Sequence, residues 1–258
     1  MPVPFQLKYY IAIARPDHWF KNIFVIPGFA LALLFQPQAL NLALLNQFLI
    51  AMFAVCLSAS ANYTINEWLD AEFDQFHPVK KNRPSAAGKV EATWVYVQWA
   101  ILTGLSIAIS LQINWQFSLY VIALLVMGII YNVKPMRSKD RIYMDVLSES
   151  INNPLRLLLG WAIILPNTIP PSSMLITYWM GGAYLMAIKR YAEYRFIDNP
   201  SIAGAYRRSF SSYTESNLLL SAFFYALSAT FFAGVFLIKY RIEYVLAIPF
   251  LAFLFVWY

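Results

Sequence analysis

Residues 42–65 run for twenty-four positions without one charged side chain. About 20 such residues in a helix cross the hydrocarbon of a bilayer, and only helices and closed barrels satisfy every backbone N–H and C=O there. That stretch restricts the chain to a membrane architecture, and seven further apolar runs repeat it: 23–35, 94–113, 117–130, 147–165, 174–188, 218–238 and 244–258. Charged residues make up 12% of the chain, about half of soluble usage. The expected fold is an all-α polytopic membrane protein, one domain over residues 1–258, with eight spans visible. Residues 1–19 carry Pro2, Pro4, Pro16 and scattered charges in place of a compact apolar core with a cleavage site, so they read as retained sequence and not as a secretory signal. Cys56, the one cysteine, lies inside an apolar run and reads as a small packed side chain.

Charge is confined to the joints between runs. Sixteen of the nineteen Lys and Arg precede the first run or follow the second, fourth and sixth. The positive-inside rule then places those joints and the N-terminus on the cytoplasmic side of the plasma membrane, the inner membrane of a bacterium. Topology accounts for the bases. It does not account for the acids, twelve of thirteen of which share the same face, because acids contribute little to orientation. Mixed charge over a greasy cavity is the composition of an active-site mouth. A transporter would instead place polar residues at the midplane in paired broken helices. The partners implied are membrane lipids and phosphorylated molecules, with no nucleic acid; the pattern says nothing of oligomeric state.

The most informative joint is residues 66–88, NEWLDAEFDQFHPVKKNRPSAAG. Asn66, Asp70 and Asp74 are spaced i, i+4, i+8, which drifts only about 80° around a helix, so three oxygen-bearing side chains share a face. Oxygen ligands suit Mg²⁺, which binds through one or two carboxylates and completes its shell with water and substrate phosphate. Lys80, Lys81 and Arg83 follow within about two turns of chain as phosphate donors; the alternative is a solvated loop marking one side of the membrane. With an apolar cavity below, the natural ligand is a lipid phosphate or diphosphate, and the reaction is group transfer with pyrophosphate leaving. Mg²⁺ on Asp70 and Asp74 would neutralise the charge growing on that group. Arg156 lies inside the fifth run and should face inward near Asn152 or Asn153, since an Arg against lipid is costly. Asp145 and Glu149, one turn apart at the mouth of the fifth run, could mimic an acidic pair for a second metal; the ordinary reading is charge complementing a helix N-terminus. His18 and His77 read as interfacial side chains.

On these residues the whole chain resembles the UbiA superfamily of membrane prenyltransferases. The resemblance implies nine transmembrane helices around a central cavity open to the membrane, so the chain given ends before the last span. The first aspartate-rich motif matches at Asn66, Asp70 and Asp74, and a Tyr closing the fourth helix ahead of basic residues matches at Tyr131, Lys134 and Arg137. Where superfamily members carry a second aspartate-rich motif, this chain has Lys189, Arg190 and Glu193 in IKRYAEYR. That substitution, with RPDHWFKN (15–22) and RRSFSSYT (207–214), resembles the decaprenyl-phosphate phosphoribosyltransferase branch. The branch implies a polyprenyl phosphate acceptor and phosphoribosyl pyrophosphate, or another diphosphate, as donor. By the same resemblance Asn66, Asp70 and Asp74 bind Mg²⁺ and pyrophosphate. Lys21, Lys81, Arg83, Lys134, Arg137, Arg156, Lys189 and Arg190 bind substrate, and Tyr131 and Glu193 act beside Asp70 and Asp74 to orient the sugar or the acceptor. The alternative activity is prenyl transfer from a prenyl diphosphate to an aromatic or other small acceptor, a reaction that bases in place of the second acidic motif disfavour.

Overall fold

The computed structural model describes residues 5–37 and 40–257. It contains α1 (Leu7–Ala14), a 3-10 stretch (Pro16–Val25), α2 (Ile26–Phe35), α3 (Leu42–Asp74), α4 (Ala92–Ser110), α5 (Trp115–Asn132), α6 (Met144–Ser150), α7 (Asn152–Ala162), α8 (Ser172–Ile197), α9 (Pro200–Tyr206), α10 (Glu215–Tyr240) and α11 (Ile248–Trp257). No strand occurs among the described residues, and the all-α expectation holds. Asn41, Asn114 and Thr214 start α3, α5 and α10, each accepting a backbone N–H from three residues on at 2.8, 2.8 and 3.1 Å. Such caps satisfy donors that the first helical turn leaves without partners.

Among the described residues five helical stretches are long and apolar enough to cross a bilayer: Leu7–Phe35, Leu42–Asp74, Ala92–Ser110, Trp115–Asn132 and Glu215–Tyr240. The eight expected runs therefore do not each form an uninterrupted span. The fifth is broken at Ile151 into α6 and α7, where Pro154 can donate no backbone N–H. The last described run is a short 3-10 turn and the ten-residue α11, and Tyr258 lies outside the described residues. α8 departs the other way. It continues past the end of the apolar run at 188 to Ile197, because residues 189–197 contain neither Gly nor Pro, and it stops where Asp198 turns left-handed at φ 50° ahead of Pro200. Lys189, Arg190 and Glu193 are thus fixed on the last turns of α8.

Two apolar cores hold the bundle. One joins α2, α3, α5 and α7 through Phe29, Val55, Phe117, Val121 and Leu159; the other joins α6, α8 and α10 through Val146, Ala183, Tyr184 and Tyr225. Without a hydrophobic drive between lipid-bathed helices, close approach depends on small residues. α2 and α7 cross at Gly28 and Gly160, where an added Cβ would fall 2.0 and 2.1 Å from the carbonyl oxygens of Leu157 and Val25. α3 and α5 cross at Gly128, where a Cβ would fall 2.1 Å from Asn62 Oδ1, while Asn62 donates to the Leu124 carbonyl at 2.9 Å. One turn beyond that crossing, both helices reach the charged end of the molecule.

Candidate active site

α3 delivers its motif at that end. Asn66 Nδ2 donates to Asn132 Oδ1 on α5 at 2.5 Å and to Asp70 Oδ2 at 3.3 Å. Asp70 Oδ1 accepts from Arg137 at 3.1 Å and is also ion-paired to Lys139. Arg137 is buried, with its backbone at φ 25°, a conformation costly for a residue with a Cβ. Its guanidinium holds it there, donating to the Asn132 carbonyl at 3.1 Å and lying 3.2 Å from Asp140. Asp74, 1% exposed, is turned to Arg83 at 2.7 Å. Lys139 also reaches Asn132 Oδ1 at 2.7 Å, and burial holds its ammonium down to about 8 against the opposing pull of Asp70. A cleft at this end is lined by Asp70, Phe73, Arg137, Lys139, Asp140, Tyr206, Arg207 and Arg208.

A second cluster faces it from α6, α8 and the segment after α9. Arg190 is 2% exposed and meets three carboxylates, Glu149 at 2.6 Å and Asp145 and Glu193 at 3.4 Å. Asp145 and Glu149 are therefore the counter-charges of a buried Arg. The Tyr131 hydroxyl donates to Glu149 at 2.7 Å and accepts from Arg190 at 3.1 Å and Arg207 at 3.3 Å. Arg207 also lies 3.5 Å from Asp145, which takes further hydrogen bonds from Ser209 and Tyr213 at 3.1 and 2.8 Å. Glu193 ties the loop after α3 to this cluster. It is ion-paired to Lys80, approached by His77 at 3.6 Å and bonded by the Tyr206 hydroxyl at 3.0 Å. Burial lowers Lys80 to about 8 although Glu193 pulls the other way.

The fold thus gathers Asn66, Asp70, Asp74, Arg83 and Arg137 on one side and Tyr131, Arg190 and Glu193 on the other. Lys81 and Lys134 are exposed and form no ion pair among the described residues. Arg156 does face inward, donating to Asn22 Oδ1 at 3.2 Å and to the Asn152 carbonyl at 3.4 Å. Lys21 meets His18 Nδ1 at 3.3 Å and feels the charges of Lys189, Glu149 and Arg156. Sequence reasoning gave no role to Lys139, Arg207 and Asn132. Each sits in a joint whose bases or amides read as topology or turn chemistry, and only the fold brings Lys139 to Asp70 across sixty-nine positions.

Among the described residues no three His, Cys, Asp or Glu side chains converge as a metal cage. Asn66, Asp70 and Asp74 bear oxygens of the kind that contribute to an Mg²⁺ shell completed by phosphate; Asn66 and Asp70 lie 3.3 Å apart, while Asp74 is bound to Arg83. Of the three, Asp70 lines the cleft.

Comparison with known proteins agrees with this architecture. The chain is 29% identical over 217 residues to the decaprenyl-phosphate phosphoribosyltransferase of Mycobacterium tuberculosis, a match covering 84% of this chain and 68% of that protein. The enzyme of the same description from Mycolicibacterium smegmatis is 30% identical over 224 residues, covering 85% and 66%. A UbiA homologue of Archaeoglobus fulgidus, solved with GPP and Mg²⁺, superposes with a TM-score of 0.74 at 20% identity, covering 96% of this chain and 84% of the other. With the profile of that family matching residues 22–258, the chain belongs to the UbiA prenyltransferase family and is a membrane transferase.

Proposed function

We propose that this transferase moves a 5-phosphoribosyl group from phosphoribosyl pyrophosphate to a polyprenyl phosphate at the cytoplasmic face of the membrane. An oxygen of the lipid phosphate attacks the anomeric carbon. A new C–O bond forms as the bond to pyrophosphate breaks, and pyrophosphate leaves with the electron pair. The observation that carries the reading is the gathering of cations: Arg137, Lys139, Arg207 and Arg208 line one cleft with Asp70 and Asp140, a set of donors suited to phosphate oxygens. The similarity to phosphoribosyltransferases supports the same choice.

In this reading Asn66, Asp70 and Asp74 hold Mg²⁺, which supplies Lewis-acid neutralisation of the leaving group. Arg83, Arg137 and Lys139 are tied to the aspartates and are positioned to pass to phosphate oxygens as substrate arrives. Tyr131 and Glu193 keep Arg190, Arg207 and Lys80 in place, while Lys81 and Lys134 attract anions to the mouth. Lys21, Arg156 and Lys189, which form no ion pair among the described residues, hold the lipid phosphate. The test supplies protein in detergent with Mg²⁺, labelled phosphoribosyl pyrophosphate and a polyprenyl phosphate, beside a tube with a prenyl diphosphate and 4-hydroxybenzoate. Label entering the organic phase of the first tube, and lost with EDTA, is expected; product in the second tube alone would replace the reading with conventional prenyl transfer.

A further inference from the structure

The loop that follows the acidic motif turns on one side chain. The His77 amide donates to the Asp74 carbonyl at 3.1 Å, and the His77 carbonyl accepts from Lys81 at 3.4 Å, so this residue stands where α3 has ended and the segment bearing Lys80, Lys81 and Arg83 begins. Pro78 has no N–H. The next two amides, those of Val79 and Lys80, both donate to His77 Nδ1, at 3.1 and 3.2 Å. A ring nitrogen that accepts does not carry the proton, which therefore sits on Nε2. Nε2 faces Glu193 Oε1 on α8 at 3.6 Å.

Read from sequence as interfacial, His77 is 5% exposed. The Tyr206 ring meets it edge-on at 4.7 Å, and Phe196 stacks on it at 6.3 Å. The oxygen that Nε2 faces is shared, because Glu193 Oε1 is also ion-paired to Lys80 and accepts from the Tyr206 hydroxyl at 3.0 Å. Farther along the same loop, Arg83 reaches Asp74 at 2.7 Å. The two ring nitrogens thus do different work: Nδ1 fixes how the loop leaves α3, and Nε2 fixes where that loop lies against α8. We propose that His77 is a positioning residue, a clip between the acidic motif and α8 that sets Lys80 and Arg83 for the donor's diphosphate. This rests on the reading of the site as one that takes a diphosphate donor.

The test uses the full chain in neutral detergent with Mg²⁺, labelled with nitrogen-15 at histidine. The chain has two histidines, and the signal lost in His77→Asn identifies this one. Long-range proton–nitrogen correlations are expected to show a single tautomer with the proton on Nε2. Asparagine keeps an acceptor for the amides that follow, as in an Asx turn, but is too short to reach Glu193; alanine removes both contacts. Magnesium pyrophosphate, titrated by calorimetry, should bind His77→Asn roughly tenfold more weakly than the wild type, the order of one hydrogen bond to a charged group. His77→Ala should bind it more weakly again, and binding of a polyprenyl phosphate should be unchanged in both variants. A ring proton on Nδ1, a wild-type pyrophosphate affinity in His77→Asn, or an equal loss of both ligands overturns the proposal. Failure of the wild type to bind magnesium pyrophosphate, with the ring proton on Nε2, overturns the diphosphate reading and the proposal with it.

Discussion

Asn66 and Asn132 meet amide to amide at 2.5 Å, one turn beyond the point where Asn62 lies against Gly128 on the same pair of helices. The two contacts form one device. The Gly128 crossing sets how closely α3 and α5 approach, and that distance determines whether Asn132 can orient Asn66 and share Lys139 with Asp70.

Gly128→Ala should separate the helices, since its Cβ would fall 2.1 Å from Asn62 Oδ1. Overpacking of this kind costs about 1–3 kcal/mol and should depress turnover as well as the unfolding temperature in detergent. Gly104→Ala is the control. Nothing lies within 4 Å of the Cβ it would introduce, so turnover should stay at the wild-type value and the unfolding temperature should hold or rise, as Ala favours the helix over Gly by about 1 kcal/mol.

Asp70→Asn should lower turnover by at least about a hundredfold while leaving expression and membrane insertion intact. Steady-state rates across an Mg²⁺ titration check this, and activity near the wild-type level would remove Asp70 from the metal assignment.

The helix-borne part of this site was legible because spacing survives folding. Asn66, Asp70 and Asp74 share a face on any helix, and an Arg in an apolar run has to turn inward, as Arg156 does toward Asn22. The eight-run reading overlooked two local effects. Pro154 makes the fifth run two helices, and polar but helix-compatible residues carry α8 nine positions beyond its apolar run, to Ile197. Arg190 shows what sequence could not give. It was read as a phosphate ligand, yet its surroundings depend on residues forty-one and forty-five positions earlier, Glu149 and Asp145, whose one-turn spacing by itself admits a metal pair, a helix-dipole pair or the counter-charges found here.

Arg190→Gln should therefore act on stability before it acts on chemistry. It leaves Asp145, Glu149 and Glu193 without their shared cation, and removing one partner of a buried ion pair costs about 3–5 kcal/mol. Adding Glu149→Gln should recover part of the loss. A double-mutant cycle on thermal unfolding reads the coupling, and strict additivity would show that the pair does not act as a unit.

Lys80 gives a pH signature. Its folded value is about 8 against an ordinary 10.5, so the unfolded chain binds its proton more tightly. Below pH 8 the burial penalty on the charged form is fully present, and it is relieved as pH rises from about 8 to 10.5. Relative to Lys80→Met, the wild type should gain stability across that window, with a slope of at most about 1.4 kcal/mol per pH unit. Unfolding temperatures of both proteins from pH 7 to 10.5 measure the difference, and parallel curves would place Lys80 in water.

The division of cations between two substrates makes the last prediction. Arg137 and Lys139 are bound to Asp70, whereas among the described residues Lys21 and Arg156 have only His18, Asn22 and a backbone carbonyl as hydrogen-bond partners. Loss of one charge-assisted hydrogen bond, worth about 1.5–3 kcal/mol, should raise KM for the lipid phosphate roughly ten- to hundredfold in Lys21→Gln and leave KM for the diphosphate donor unchanged. Arg156→Lys keeps the charge and loses the planar fork, so its effect should be smaller than that of Arg156→Gln. Initial rates with each substrate varied in turn separate the two constants. A rise in donor KM with acceptor KM unmoved would reverse the assignment, placing the pyrophosphate over Lys21 and the lipid phosphate over Asp70.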